Sequence, residues 1–270
     1  MMKKSRREFL KVAGITILGA GAGSLINGVS VLSAAESGRK PGLDFFKNSD
    51  ALKAKRWGMA VDTRKLSDEI CEKMQVSCHQ LHNVPDFIKK FGKQEKRHEI
   101  KWIWETGFEH AFTGRENEFP RENLEDLPVV VTCNHCEKPP CVRACPTQAT
   151  FKREDGIVMM DFHRCIGCRF CMAACPFGSR SFNFRDPRPA IYDRNPDFPT
   201  RTKGVVEKCN FCAERLAVGK LPACVEASEG ALVFGDLEDP ESDIRKLLAE
   251  NYTIRRKPEL GTNPSVFYII

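Results

Sequence analysis

Three runs of cysteine constrain this chain more than any other feature: Cys133-x2-Cys136-x4-Cys141-x3-Cys145-Pro146, Cys165-x2-Cys168-x2-Cys171-x3-Cys175-Pro176, and Cys209-x2-Cys212-x11-Cys224. The second matches, in every position, the C-x2-C-x2-C-x3-C-P spacing that holds bacterial [4Fe–4S] clusters. Three closely spaced thiolates on a tight loop wrap three irons of one cubane, and Gly167 lets the backbone approach the cluster. The third and fourth cysteines lie along one helical turn, so the fourth points away from its own loop and serves the other cluster of a pair. Proline then ends the turn. A zinc ribbon needs two C-x2-C pairs with a modest spacer and does not explain quadruple runs ending in Cys-Pro. A disulfide scaffold is small and loop-rich, a poor description of this 270-residue chain with its 13 cysteines.

A fourth, degenerate run lies upstream. Counting back from Cys78 with ferredoxin spacing meets Met74, Cys71 and Asp68, and the third run ends on Ser228 where a fourth cysteine could sit. Four runs can exchange their last cysteines in three pairings. Pairing neighbours or alternate runs leaves two complete sites and two damaged ones. Nested pairing leaves three complete sites: Cys165, Cys168, Cys171 and Cys145; Cys133, Cys136, Cys141 and Cys175; Cys209, Cys212, Cys224 and Cys78. All losses then fall on the fourth site, Asp68, Cys71, Met74 and Ser228. The expectation is three [4Fe–4S] clusters on twelve cysteines, with Cys71 a spare thiol. A fourth cluster on Asp68 and Ser228 oxygens is the competing expectation, and it needs Met74 as a weak donor.

The N-terminus reads as an export address. Residues 5–11, Ser-Arg-Arg-Glu-Phe-Leu-Lys, have the pattern of a twin-arginine signal, followed by a Gly/Ala-rich apolar stretch and Ser33-Ala34-Ala35. Cleavage is expected after Ala35; retention as a membrane anchor is the alternative, disfavoured by the glycines and Asn27 in the stretch. That route carries folded proteins, which suits a cofactor inserted before export. The formal net charge of +6 includes five Lys/Arg and one Glu in residues 1–35, so the remainder is +2. Three cluster sites of about −2 each would take the holo-protein to roughly −4, which does not favour a nucleic-acid partner.

The organisation follows from the runs. The expected class is α+β: two nested bacterial-ferredoxin-like modules with loop insertions and a C-terminal extension. Residues 36–60 read as a linker, 61–90 and 204–236 as the outer module, 91–127 as an insertion and 128–186 as the inner module. Residues 187–203 read as a surface loop, and 237–270 as a helix and tail. Strands are expected at 150–152 and 157–160 around a Glu154-Asp155-Gly156 turn, with a similar short hairpin after the third run at 231–236. A helix is expected over 240–250, with Asp239 as N-cap and Pro240 in the first position. The insertion's Trp102, Trp104, Phe108 and Phe112 read equally as a partner surface or as packing over the clusters. The apolar end, 267–270, is expected to dock on a partner, with self-packing the alternative. His135, between two ligands, reads as a packed histidine or as a hydrogen-bond donor to cluster sulfur. Nothing resembles a nucleophile triad, a phosphate loop or an acid/base pair, so a catalytic centre is not expected.

These motifs resemble the exported multi-cluster ferredoxin subunits of membrane-bound respiratory complexes, including formate dehydrogenase, polysulfide reductase, tetrathionate reductase and NrfC-type proteins. Among them, the chain resembles the periplasmic DsrO subunits of DsrMKJOP complexes. The similarity runs through Val61-Asp62-Thr63-Arg64-Lys65, Cys133-Asn134-His135-Cys136, Asp161-Phe162-His163-Arg164-Cys165, and residues 182–189, 251–258 and 266–270. The resemblance implies nested pairing and a role as an extracytoplasmic electron-transfer subunit. It also implies partners: an integral quinone-binding subunit (DsrP, of the NrfD type), a multihaem cytochrome c (DsrJ), and DsrM and DsrK. The alternative host is an exported molybdenum-containing reductase or dehydrogenase.

Overall fold

Trp57–Asp62 is buried along its whole length, as a strand with neighbours on both sides requires. The computed structural model describes residues 49–113 and 127–270. The expected export signal, 1–35, lies outside the described residues, as do 36–48 and 114–126. The strands are β1 Trp57–Asp62, β2 Ile103–Gly107, β3 Pro128–Thr132, β4 Thr150–Lys152, β5 Val158–Met160, β6 Ser181–Phe182, β7 Val206–Glu207, β8 Leu232–Asp236, β9 Thr253–Ile254 and β10 Val266–Ile269. The α-helices are α1 Asp68–Leu81, α2 Phe87–Phe91, α3 Phe108–Ala111, α4 Pro140–Arg143, α5 Phe170–Ala173, α6 Ala213–Leu216, α7 Ala223–Glu226 and α8 Asp243–Glu250. Among the described residues, no helix is long and apolar enough to cross a membrane.

One sheet has the order β8-β1-β10-β9, and the pairs β2–β3, β4–β5 and β6–β7 stand apart. β1 runs antiparallel to β8, with Met59 opposite Phe234, and parallel to β10, with Met59 opposite Val266. The hairpin after the first cysteine run forms where the turn residues place it, with Phe151 opposite Met159. Gly156, at φ +85, makes the reversal. The main core collects beneath the four-stranded sheet and around β2 and β3, with Trp57 stacked on Phe234 at 4.9 Å and Phe112 edge-on to Tyr268 at 5.1 Å.

Several boundaries differ from the sequence expectation. The linker ends early, because residues 57–60 are already in β1 and buried. After the third run, β8 pairs with β1 rather than with an adjacent strand, and Gly235 and Asp236 lie inside it. In the described part of the insertion Trp102 and Phe112 are buried, and Ile103–Gly107 pairs with β3. Residues 187–203 lack long elements, yet Phe198 and Arg201 anchor them in the interior. α8 begins at Asp243 behind Ser242, while Asp239 instead accepts from the Glu241 N–H in the preceding turn. The tail does not stay free for a partner. Val266, Tyr268 and Ile269 are wholly buried because β10 fills the place between β1 and β9.

Candidate cluster-binding sites

Each complete C-x2-C pair carries a left-handed residue just before its second cysteine: His135 at φ 40, Gly167 at φ +70 and Phe211 at φ 55. That conformation is costly for residues other than glycine and turns the backbone sharply between the two thiols. At Gly167 a Cβ would lie 2.4 Å from the Gly204 carbonyl oxygen, so glycine is required there. The third cysteine of each run then sits in one turn of helix: Cys141 in α4, Cys171 in α5 and Cys224 in α7. An alanine caps each helix, Ala144, Ala174 and Ala227 respectively. In all three runs the residue after that cap donates its N–H three residues back, Cys145 to Val142, Cys175 to Met172 and Ser228 to Val225. The repeat survives in the backbone even where Ser228 replaces cysteine.

The thirteen cysteines are all free thiols, and several of them lie close to one another. Cys78, on α1, is fully buried; burial raises its pKa first, and Cys212, Cys224 and Cys209 raise it further. Burial pushes Cys136 up to about 12, with Cys133, Cys141 and Cys175 adding to the rise against the Thr262 hydroxyl. Cys175 is raised by burial and then by Cys133 and Cys141. Cys171 is raised by burial and by Cys141 and Cys165, against the pull of Arg180. Burial also acts on Cys145, but the Thr150 N–H, 3.5 Å away, and the Thr147 hydroxyl at 3.7 Å help to lower its pKa overall. Cys168 is exposed. The place of Cys145 and Cys168 in a group with Cys165 and Cys171 rests on the equivalence of the runs.

Such clustered thiols are poorly accommodated as they stand. Packing them together without a cation holds them protonated, whereas thiolate is the form that binds metal. The polar atoms around them point the same way. His135 Nε2, the Asn134 side-chain amide nitrogen and Arg180 Nη2 are buried with no hydrogen-bond partner among the described residues. Donors left over beside four-thiol groups fit an anionic iron–sulfur cluster, whose sulfurs accept hydrogen bonds. His135 is fixed for this: its Nδ1 accepts from the Val158 N–H at 3.0 Å and its ring stacks on Phe211 at 3.6 Å. Burial, then the charges of Lys208 and Arg180, push its pKa well down. The neutral ring therefore carries its proton on Nε2.

Sequence reasoning missed the support of the outer group. His82 Nε2 lies 2.7 Å from Glu214 and its Nδ1 lies 2.8 Å from the Cys78 carbonyl oxygen, with the ring stacked on Trp102. His82, Cys212 and Glu214 place ligand-type atoms within 4.8 Å of one another, but they share Cys212 with the outer group and belong to it. Behind them Arg201 and Glu207 form an ion pair at 2.6 Å with both side chains fully buried, and the Trp102 Nε1–H donates to Glu207. Apart from Trp102, read from its type as packing or as a partner surface, the sequence signal for these residues was their nearness to a cysteine run.

The degenerate run has a different shape. Asp68, Cys71, Met74 and Cys78 lie in one unbroken helix, α1, whose N-cap Ser67 accepts from the Ile70 N–H. Cys71 and Met74 are buried in the main core, while Asp68 is exposed. Burial, then Glu105 and Asp68, push the Cys71 thiol up to about 12. The Ser228 hydroxyl donates to the Val225 carbonyl at 2.7 Å and accepts from the Leu232 N–H. Only Cys78 of this run reaches the other cysteine groups.

Left-handed C-x2-C loops, one-turn helices and thiol groups fringed by unpaired donors define a ferredoxin-type carrier on an α+β fold. The 4Fe-4S dicluster domain family matches residues 127–186, the stretch holding the first two runs. The Hdr-like menaquinol oxidoreductase iron-sulfur subunit 1 of Archaeoglobus fulgidus is 39% identical over 98% of this chain and 97% of its own length. A tetrathionate reductase subunit of Salmonella typhimurium is 33% identical over 99% of this chain and 89% of its own. The iron-sulfur cluster-binding subunit of menaquinone reductase from Nitratidesulfovibrio vulgaris is 34% identical over 79% and 88%. The chain belongs to this family of multi-cluster, ferredoxin-like iron–sulfur subunits, and it is an electron-transfer subunit without a catalytic centre of its own.

Proposed function

We propose that the chain holds three [4Fe–4S] clusters in a line and relays electrons between a membrane quinone-binding subunit and a second redox subunit of an exported respiratory reductase. The observation that carries this is the mutual approach of the groups. Cys133 shares the main core with Cys209, Cys224 and Cys78, while Cys141 packs with Cys171 and Cys165 in a second, smaller core, so the group of Cys133, Cys136, Cys141 and Cys175 reaches both of the others. The ligand sets are those of nested pairing, with Cys78 completing the site of Cys209, Cys212 and Cys224, and Cys145 that of Cys165, Cys168 and Cys171. The exposed Cys168 makes one end of the line accessible to a redox partner.

Full-length similarity to a tetrathionate reductase subunit favours a reductase host, of the exported molybdenum-containing kind, and an NrfD-type quinone subunit as membrane partner. Similarity over nearly the whole of both chains to a menaquinol oxidoreductase subunit favours a second host, a DsrMKJOP-like complex with DsrP, DsrJ, DsrM and DsrK. Subunits that co-purify separate the two. The Ser-Arg-Arg-Glu-Phe-Leu-Lys segment supports twin-arginine export and an extracytoplasmic site of work. Iron and sulfide analysis after oxygen-free purification tests the clusters. About twelve irons per chain, with absorption near ~400 nm that dithionite bleaches, is expected. About sixteen irons would mean a fourth cluster, and a colourless protein would sink the reading.

A further inference from the structure

Two cations are buried between the cysteine groups without a carboxylate. Lys208 is 1% exposed, and among the described residues its Nζ donates to the Val158 and Cys209 carbonyl oxygens and to no carboxylate. Arg180 is 5% exposed; its Nη1 donates to the Thr150 hydroxyl at 2.9 Å, and among the described residues its Nη2 has no hydrogen-bond partner. Among the described residues neither forms a salt bridge. A buried, unpaired cation destabilises the fold unless a counter-charge meets it. The surroundings identify that charge. Thr150, which accepts from Arg180, donates its N–H to Cys145 Sγ in the exposed group, and the adjacent Ser179 hydroxyl donates to the Thr132 carbonyl beside Cys133, so Arg180 sits between the exposed and central groups. Lys208 holds the Cys209 carbonyl of the outer group, and its other partner, Val158, donates its N–H to His135 beside Cys136, so Lys208 sits between the central and outer groups.

We infer that Arg180 and Lys208 are fixed counter-ions of the clusters, and that the central cluster, flanked by both, has the highest reduction potential of the three. Reduction adds negative charge to a cluster, so a neighbouring cation favours the reduced form, and net charge is one of the factors that set such potentials. Each end cluster faces one of these cations and the central cluster faces two. The relay is then a well with a raised step on either side: an electron entering from either partner settles first in the middle. This rests on the three-cluster reading above.

Redox titrations followed by EPR, on protein purified without oxygen and counted for iron, test it. Arg180→Gln should lower the potentials of the central and exposed clusters, and Lys208→Gln those of the central and outer clusters. Each shift should be at least tenfold in the reduction constant, which is 59 mV for one electron. Arg180→Lys and Lys208→Arg should leave the potentials near wild type. The first-reduced signal of the wild type should persist in both Cys78→Ser and Cys168→Ser, each of which removes an end cluster. Unchanged potentials in iron-replete Gln variants overturn the inference, as does a first signal that disappears with either end cluster. Iron loss in Arg180→Gln but not Arg180→Lys supports it, because charge then decides retention. Iron loss in both overturns it. A wild-type count away from twelve sinks the three-cluster reading instead, so the two failures are distinct.

Discussion

Gly167, His135 and Phe211 occupy equivalent positions and meet the same backbone demand with different chemistry. The two non-glycine residues hold a left-handed conformation at a cost of about 1–2 kcal/mol each, offset where their rings stack on one another at 3.6 Å. Gly167 has no such latitude, since the Gly204 carbonyl oxygen blocks any side chain. Gly167→Ala is therefore expected to lose the exposed cluster alone, leaving roughly eight irons of the twelve; an iron count on the purified variant reads this directly. Cys71 makes the opposite case, a thiol with no outlet. The thiolate is the nucleophile, and a thiol raised to about 12 is almost wholly protonated at pH 8. Cys71 should stay unlabelled by iodoacetamide in the native holo-protein and react once the chain is denatured, as peptide mass mapping would show. Labelling at native pH 8 would contradict that burial. Of these residues Gly167 was legible in the sequence because its type and position both spoke. Arg180 and Lys208 were not, since a basic residue in a chain reads as surface until a fold buries it.

At the scale of elements, α1 shows how one spacing serves two structures. Positions 68, 71, 74 and 78 fall on one helical face as readily as they fall on a cluster loop. What tips the choice is local chemistry. Ile70 stands where the complete runs have His135, Gly167 or Phe211 in the left-handed region, and Ser67 caps the helix with Asp68 and Glu69 in its first turn. Cys71 and Met74 then serve as core side chains. Restoring the missing ligands with Asp68→Cys, Met74→Cys and Ser228→Cys is accordingly expected to leave iron at the wild-type level. A rise of about four irons per chain would show that the helix yields to the ligands. Reading the spacing found the degenerate run and its partner Cys78 but not the helix, because cysteine counting says nothing about φ. The hairpin of β4 and β5 was legible because its turn is local. The pairing of β1 with β8 and β10 was not, because a strand's register depends on a partner that lies 171 to 207 residues away.

At the scale of the whole molecule, the two ends of the described chain close one sheet, and the cysteine runs between them hang from it. β1 is complete only when β10 arrives, parallel to it and last in the chain. The same C-terminal stretch braces the first cysteine loop: the Glu137 and Lys138 N–H groups donate to the Asn263 and Thr262 carbonyls, and the Ser265 N–H donates to the Asn134 carbonyl. Thr262 also acts on Cys136. The last residues thus bear on the central group as well as on the sheet. Ending the chain at residue 265 removes Val266, Tyr268 and Ile269, each fully buried, and with them roughly 5–8 kcal/mol of apolar burial. It also exposes the edge of β1 and frees the Thr63 hydroxyl, which donates to the Ile269 carbonyl at 2.7 Å. A loss of that size is comparable with the whole stability of an ordinary domain, about 5–15 kcal/mol. The shortened chain is expected to be protease-sensitive and poor in iron. Removing Ile270 alone, 43% exposed, should change neither property. If the 265-residue chain instead resisted limited proteolysis and held the full complement of iron, the apolar tail would be dispensable to this fold, and its assignment to a partner surface would return.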